Sequence, residues 1–316
     1  MKICITGSAG NLGGLLSEYL VDTTENKLHL MTHHKNVSKK LEESNKTIIF
    51  KADLDNKESL YDCLKDIDVI VHFAGILFKG NPENFLPKTN TQFFKNLCDV
   101  AVEQGVKRII LISFPHVEGE TTVENPATGR LDCTPISAHA TTRLEEEKYM
   151  FNEINAKGVE TVSLRVGMVY GRGILMVDGA RWFAKYNLLG IWKEPTSIHL
   201  ISTDDFLEST KNAIIKDTIS GIYHIGDEGV QTLQEFLNIA TQEWGYKKPW
   251  IMPSWMIHCA ATLFEYQSLI FSTKAPLTRD FVKIGKISYY GDTKRMREDL
   301  LEILKYKTLQ DGKGIL

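Results

Sequence analysis

Three glycines, Gly7, Gly10 and Gly13, follow at once on the short apolar run Ile3-Cys4-Ile5, after which Leu15, Leu16, Tyr19 and Leu20 recur at helical spacing. The pattern reads as a strand, a tight glycine-rich turn and a helix. Glycine suits such a turn because the chain reverses sharply and its backbone has to come close to a pyrophosphate. The helix that opens there aims unpaired N–H groups and a partial positive charge at the phosphate. Gly7, Ser8, Gly10, Asn11, Leu12 and Gly13 are therefore expected to cradle a dinucleotide. About 20 residues after the glycines such a site places an acid for NAD or a basic residue for the 2′-phosphate of NADP. His33, His34 and Lys35 stand there, with no acid among them. That points to NADP, with NAD as the alternative.

The elements that hold this turn alternate along the chain. Residues 28–31, 47–50, 68–73, 108–112 and 159–166 are short apolar runs that read as strands. Asp55 is expected to cap a helix running to about residue 65, with Glu58 as its capping-box partner. Residues 89–104 place Phe93, Phe94, Leu97 and Val100 on one helical face, closed by Gly105. Residues 137–155 form a long helix ended by Gly158. Strands alternating with helices imply an α/β fold of Rossmann type, a doubly wound parallel sheet covered on both faces. Beyond Gly167 the alternation loosens. Helices are expected at 181–189, 204–215, 232–243, 254–268, 277–283 and 293–301, an extended run at 198–202 and a strand at 221–225. We expect a dinucleotide-binding domain over residues 1–167, with sheet strands also returning near 198–226. A smaller, mostly helical substrate-binding region over 168–316 would pack on the carboxyl edge of the sheet, where open α/β folds take their ligands.

The 316 residues are 43% hydrophobic, enough for a large core. Lys plus Arg number 37 against 40 Asp plus Glu, a net charge of −3 that gives no reason to expect nucleic acid. Cys4, Cys63, Cys98, Cys133 and Cys259 form no CxxC pair and no metal-ligand spacing, so no metal is expected. Such scattered thiols suit a reducing cytoplasm. The chain opens on a core strand, which argues against a signal peptide. Its most apolar stretch, 250–264, contains Pro253 and His258 and is shorter than the roughly 18 residues of a membrane span. A cytoplasmic protein with a small-molecule partner and no membrane partner is expected.

Several stretches together resemble the extended short-chain dehydrogenase/reductases, the NAD-dependent epimerase/dehydratase family. These are Gly7-x-x-Gly10-x-x-Gly13, Lys51-Ala-Asp53-Leu54, Val71-His-Phe73-Ala74-Gly75, Asn90, and the run from Leu164 through Val166 to Gly173. Thr203-Asp-Asp-Phe206 and Gly221-Ile-Tyr-His-Ile-Gly226 continue the likeness. Pro276-Leu-Thr-Arg279 and Tyr290-Gly-Asp-Thr-Lys-Arg-Met296 resemble C-terminal segments of reductase and hydroxysteroid-dehydrogenase-like members. The resemblance implies NAD(P) contacts at Asp53 on the adenine side and at Leu54, Phe73, Ala74, Gly75, Asn90 and Val166. It also implies a homodimer through the helices at 89–104 and 137–155.

The same resemblance locates a catalytic segment, and there the chain departs from the family. The family's Tyr-x-x-x-Lys appears as His139-Ala-Thr-Thr-Arg143, and its catalytic Ser or Thr as Phe114, with Ser113 one residue earlier. Residues 139 and 143 are one helical turn apart and share a face. Arg143 keeps a permanent charge for a ribose or phosphate. A second cation beside it is disfavoured, so His139 is expected as a neutral imidazole able to act as general base. Ser113 and His116 are the candidate assistants.

Two readings follow. One is an enzyme, an oxidoreductase or epimerase/dehydratase-type catalyst acting on a small, rather apolar carbonyl or alcohol, or a non-redox enzyme on the same scaffold. The other is a cofactor-sensing or binding protein whose catalysis has lapsed. His72 reads as a core residue. Trp250, Trp255, Met256 and Phe264 read either as core or as the lining of an apolar substrate pocket. No arginine near residues 197–202 matches those that hold a sugar-nucleotide diphosphate in the family.

Overall fold

A computed structural model describes the chain except residues 77, 78, 272, 274 and 276 and the surroundings of residue 269. Pro276, the first residue of one C-terminal resemblance, thus lies outside the described residues. Seven parallel strands form the central sheet: β1 Lys2–Thr6, β2 Lys27–Thr32, β3 Thr47–Lys51, β4 Val69–His72, β5 Arg108–Ser113, β6 Glu160–Val166 and β7 Gly221–Ile225. Their order is β7-β6-β5-β4-β1-β2-β3. Every pairing is parallel, with Ile5 beside Leu30 on one side and Val71 on the other. The order reverses between β1 and β4, and that switch point opens a crevice at the carboxyl ends of the strands.

Side-chain alternation divides the interior into two layers. Ile3 and Ile5 point into one layer with Leu30, Val71 and Leu164, while Cys4 points into the other with Ile70, Ile109 and Leu111. Apolar residues on both faces of a strand require cover on both sides. Helices α1 (Asn11–Thr23) and α5 (Thr203–Ile215) cover the first face through Leu16, Leu20 and Phe206. Helix α2 (Phe93–Glu103) covers the second through Phe94, Leu97 and Val100. Leu20 is fully buried, and burial of a side chain of this size contributes about 1.5–3 kcal/mol.

Helix α3 (Ala138–Tyr149) starts at Ser137, whose hydroxyl accepts a hydrogen bond from the Ala140 amide. The helical path continues in a wider turn over Met150–Ile154 and ends at Gly158, where φ is +84°. The C-terminal half adds α4 (Leu175–Lys185), α6 (Leu233–Glu243), α7 (Ser254–Phe271) and α8 (Arg279–Gly285). The Thr232–Glu235 capping box forms in both directions.

Three expected elements differ. The helix after β3 is capped by Asn56, not Asp55. The Asn56 side-chain oxygen Oδ1 accepts from the Glu58 amide, whereas Asp55 turns outward to Lys88 at 2.7 Å. The helix expected at 181–189 begins earlier and stops at Lys185. Asn187 takes a left-handed conformation (φ +56°), which releases Leu188 toward a short strand, Gly190–Ile191, that pairs with Trp250–Ile251. The extended run at 198–202 splits into two short strands, Ser197–Ile198 and Leu200–Ser202, that pair outside the main sheet, with Gln231–Thr232 and Met168–Tyr170 respectively.

Candidate active site

The glycine turn is closed by a hydrogen bond from the Gly10 amide to the Gly7 carbonyl, 2.8 Å, and Gly7 has φ +68°. A Cβ at Gly10 or Gly13 would lie 2.9 or 2.5 Å from the Gly7 oxygen, and one at Gly7 would lie 3.0 Å from the Ala74 nitrogen. No side chain fits at these three positions, which keeps the amides of Asn11–Gly13 open to a ligand at the N-terminus of α1. Ser8 is anchored beneath it by a bond from its hydroxyl to the Met31 carbonyl, 3.0 Å. A cleft of about 240 Å³ lies between Ser8–Asn11 and residues 36–38 of the loop after β2. Asn11 does not face that cleft alone. Its amide nitrogen reaches the Gly173 carbonyl and its oxygen accepts from the Leu175 amide at 2.9 Å, tying the turn to the start of α4. Leu12 packs against the core.

Past β2, His33, His34 and Lys35 are exposed. The two imidazoles lie 3.6 Å apart, and His33 Nε2 is 3.8 Å from Asp53 Oδ2. The sequence-expected 2′-phosphate and adenine residues thus meet at one rim. The Leu54 carbonyl accepts a bond from Asn96 at 2.9 Å.

The end of β4 joins this cradle to α3. Arg143 reaches the Ala74 carbonyl at 3.2 Å, and a Cβ at Gly75 would lie 2.8 Å from its guanidinium and 3.7 Å from Asn90 Oδ1. Asn90 donates to Thr142 Oγ1 at 3.2 Å, while its own oxygen is buried without a hydrogen-bond partner among the described residues. An orphaned buried acceptor is costly unless a ligand hydroxyl meets it. Phe73 flanks the segment, its ring edge-on to Phe206, and Val166 closes β6, buried in the first layer. An open amide turn, a side-chain-free Gly75 and an unmet Asn90 oxygen fit a dinucleotide.

The environment of His139 differs from the expected one. Arg143 does not confront it; the guanidinium is paired with Glu146 at 2.6 Å. Burial pushes the Glu146 carboxyl up against the pull of Arg143. His139, only 6% exposed, instead holds Asp280 of α8, with Nδ1 2.6 Å from Oδ2. Its Nε2 lies 3.3 Å from the Ile76 carbonyl oxygen. Each ring nitrogen thus faces an oxygen, one of a carboxyl group and one of a backbone carbonyl. Asp280 has no sequence signal; it lies 141 positions from its partner, beyond reach of any local spacing.

The two candidate assistants are held elsewhere. Ser113 donates to Glu147 Oε1 at 2.5 Å, inside a buried network in which Ser163 donates to the same oxygen at 2.7 Å. Arg165, fully buried, binds Glu147 at 2.6 Å and also Glu118. Burial alone would raise the Glu118 carboxyl, but His224, the Gly129 amide and Arg165 outweigh it and hold it at about 2. His116 turns to the Ile287 carbonyl at 3.2 Å and packs on Phe114 and Tyr289. Burial lowers it to about 4, so it is neutral near pH 7. His72 is a satisfied core residue, bonded to Thr6 at 2.9 Å, and burial with the nearby Arg143 depresses it well below its usual value. Trp250, Trp255 and Met256 are not core residues; all three are exposed. Phe264 is half-buried against Phe183.

Comparison with known proteins places the fold. An uncharacterized protein of Methanocaldococcus jannaschii is 27% identical over 260 residues, 75% of this chain and 79% of that one. A uronate dehydrogenase of Pseudomonas putida is 26% identical over 167 residues, 52% of this chain and 60% of its own length. The UDP-glucuronic acid 4-epimerase of Bacillus cereus, solved in complex with NAD, superposes with a TM-score of 0.75 at 18% identity, covering 100% of this chain and 97% of that one. The sequence model of one family matches residues 3–182, the stretch that holds the glycine turn, the end of β4 and α3. The chain belongs to the NAD dependent epimerase/dehydratase family.

Proposed function

We propose that this protein is an NADP-dependent enzyme that adds or removes a proton on a small, rather apolar carbonyl or alcohol, with His139 in place of the family's tyrosine. The buried 2.6 Å contact between His139 and Asp280 carries this reading. A carboxylate on Nδ1 fixes the ring's orientation and stabilises its charged form, which leaves Nε2 as the atom that exchanges a proton. In the absence of a substrate that nitrogen points at the Ile76 carbonyl; a substrate oxygen would take the carbonyl's place. The amides of Asn11–Gly13 bind phosphate, Asn90 Oδ1 and Arg143 orient the ribose side, and His33, His34 and Lys35 meet a 2′-phosphate. Hydride supply or uptake is the chemistry of the bound cofactor. Residues 196–202 contain no arginine, which supports a substrate without a diphosphate.

A panel of small apolar aldehydes, ketones and alcohols with NADPH or NADP⁺ tests the reading. His139→Ala lowers turnover by about 10²-fold or more, with NADPH binding by fluorescence unchanged. Unchanged turnover removes His139 from the mechanism, and tighter binding of NADH than of NADPH refutes the role of residues 33–35. The engagement of Ser113 with Glu147 supports a second reading, a cofactor-sensing protein. In that case NADPH binds and no member of the panel consumes it.

A further inference from the structure

Helix α7 is built the wrong way round for a helix packed on a protein core. Among its described residues the buried positions are Ile257, Ala261, Glu265 and Ser268, small or polar apart from the first. Trp255, Cys259, Leu263, Tyr266 and Ile270 recur at intervals of four, four, three and four residues and form one stripe along the outer side. Trp255, Leu263 and Ile270 are 66%, 69% and 75% exposed. A surface helix normally shows the reverse arrangement. The apolar surface extends past the helix. Phe264 touches Phe183 of α4, which also carries the exposed Trp182 and is followed by the exposed Tyr186, and the paired strand Trp250–Ile251 is exposed at both residues. By contrast, no large apolar residue of α2 or α3 is exposed among the described residues. A contiguous exposed patch of this kind marks a contact surface.

The charges around it identify the contact. Lys247 and Lys248 immediately precede the exposed strand, and Lys185 lies 5.6 Å over the Tyr186 ring. Lys283 and Lys286 of the following segment lie close enough to His258 of α7 to depress it, after burial. Exposed tryptophan and tyrosine fringed by lysine suit the boundary between acyl chains and anionic headgroups. No helix among the described residues is long and apolar enough to cross a membrane, so α7, about 27 Å long at 1.5 Å per residue, would lie along the surface. We propose that the outer face of α7, with Trp182, Tyr186 and Trp250–Ile251, docks on an anionic lipid bilayer. The proposal holds whether or not His139 is the acid/base. The inner side of the same helix reaches the site. Glu265 binds Arg279 at 2.6 Å, and the next residue, Asp280, holds His139. Docking would therefore bring the candidate site to the edge of the lipid.

The test is co-sedimentation of the full chain with phosphatidylserine-phosphatidylcholine vesicles and with phosphatidylcholine vesicles. Binding to the anionic vesicles, weakened by salt and accompanied by a blue shift of tryptophan fluorescence, is expected. The exposed double variant Leu263→Ser/Ile270→Ser should lose at least about tenfold in vesicle affinity while its Tm and NADPH binding stay unchanged. Lys247→Glu/Lys248→Glu should lose the preference for anionic vesicles. Absence of vesicle binding, or binding indifferent to both variants, overturns the proposal. So does a dimer in solution that the Leu263→Ser/Ile270→Ser variant dissociates without any vesicle binding, since that assigns the stripe to a second copy of the chain.

Discussion

The glycine turn and the face of α3 meet at the end of β4, where Ala74 lies against Gly7 through its nitrogen and against Arg143 through its carbonyl oxygen. They are nevertheless made of different matter. The turn works through backbone amides and through the side chains it lacks, so its geometry follows from three residues within seven positions. The α3 face is made of ionisable side chains, and their partners are Glu146, one turn on in the same helix, for Arg143, and Asp280, from the far end of the chain, for His139. A site built from backbone is kept or lost as a unit. A site built from side chains can change its chemistry while the helix beneath it stays the same.

The largest expected effect tests the backbone half. Gly13→Val places a Cβ 2.5 Å from the Gly7 oxygen, with two further methyls behind it. The turn has to open, and NADPH binding should weaken by about 1,000-fold, about 4 kcal/mol, with the far-ultraviolet circular dichroism retained. Binding of ordinary strength in this variant would mean that side chains hold the cofactor after all, and the contrast between the two regions would collapse.

That contrast also explains what the sequence made legible. The turn, the strand–helix alternation of a doubly wound sheet and the helices α1, α2 and α3 all follow from apolar periodicity and glycine placement, which act over a few residues. The placement of His139 and Arg143 on one face followed from helical spacing. The surroundings of His139 did not follow, because Asp280 meets it only through the packing of α8, and Arg143 turned to an acid one helical turn onward instead. Ser113 looked available at the end of β5, yet Glu147 and Arg165, buried together, claim its hydroxyl. Neither contact leaves a trace in local sequence. Trp250 and Trp255 were ambiguous for a related reason, since hydrophobicity alone does not say whether a side chain points in or out.

A middle-sized effect tests the side-chain half. Asp280→Asn keeps the shape beside His139 and removes the charge. The amide can no longer stabilise a ring protonated at both nitrogens. Turnover should fall by about 30-fold, about 2 kcal/mol in the barrier, and the pH dependence of kcat should shift, while NADPH affinity changes little. A parallel loss of NADPH affinity would show that the two regions are not separable and that α8 supports the cradle as well.

The smallest effect comes from pH, to which neutral backbone amides are indifferent and buried ionisable groups are not. Asp227, 1% exposed beside the Leu200–Ser202 strand, accepts from the Gly229 amide at 2.9 Å, and burial raises its carboxyl to about 7. A raised carboxyl favours the protonated fold, so its contribution to stability is fully present below the unfolded value near 3.8 and is lost as pH rises through about 7. His116 and His199 act with the opposite sign. Burial depresses both to about 4, so their contribution is present above the unfolded value near 6.5 and is lost as pH falls through about 4. Because these terms oppose one another between pH 4 and pH 7, the wild-type Tm alone does not separate them, whereas its difference from Asp227→Asn does. The variant should gain on the wild type steadily from pH 4 to pH 7 and hold a constant lead above that. A shift of about three pKa units sets a ceiling of about 4 kcal/mol on the gain. A buried amide N–H without an acceptor costs about 1–3 kcal/mol at every pH. The lead at pH 8 is therefore on the order of 1 kcal/mol, about 2 °C in Tm for a chain of this size. A Tm difference that does not vary with pH would mean that Asp227 is ionised in the fold, and the C-terminal half would then owe no more to buried charge than the cradle does.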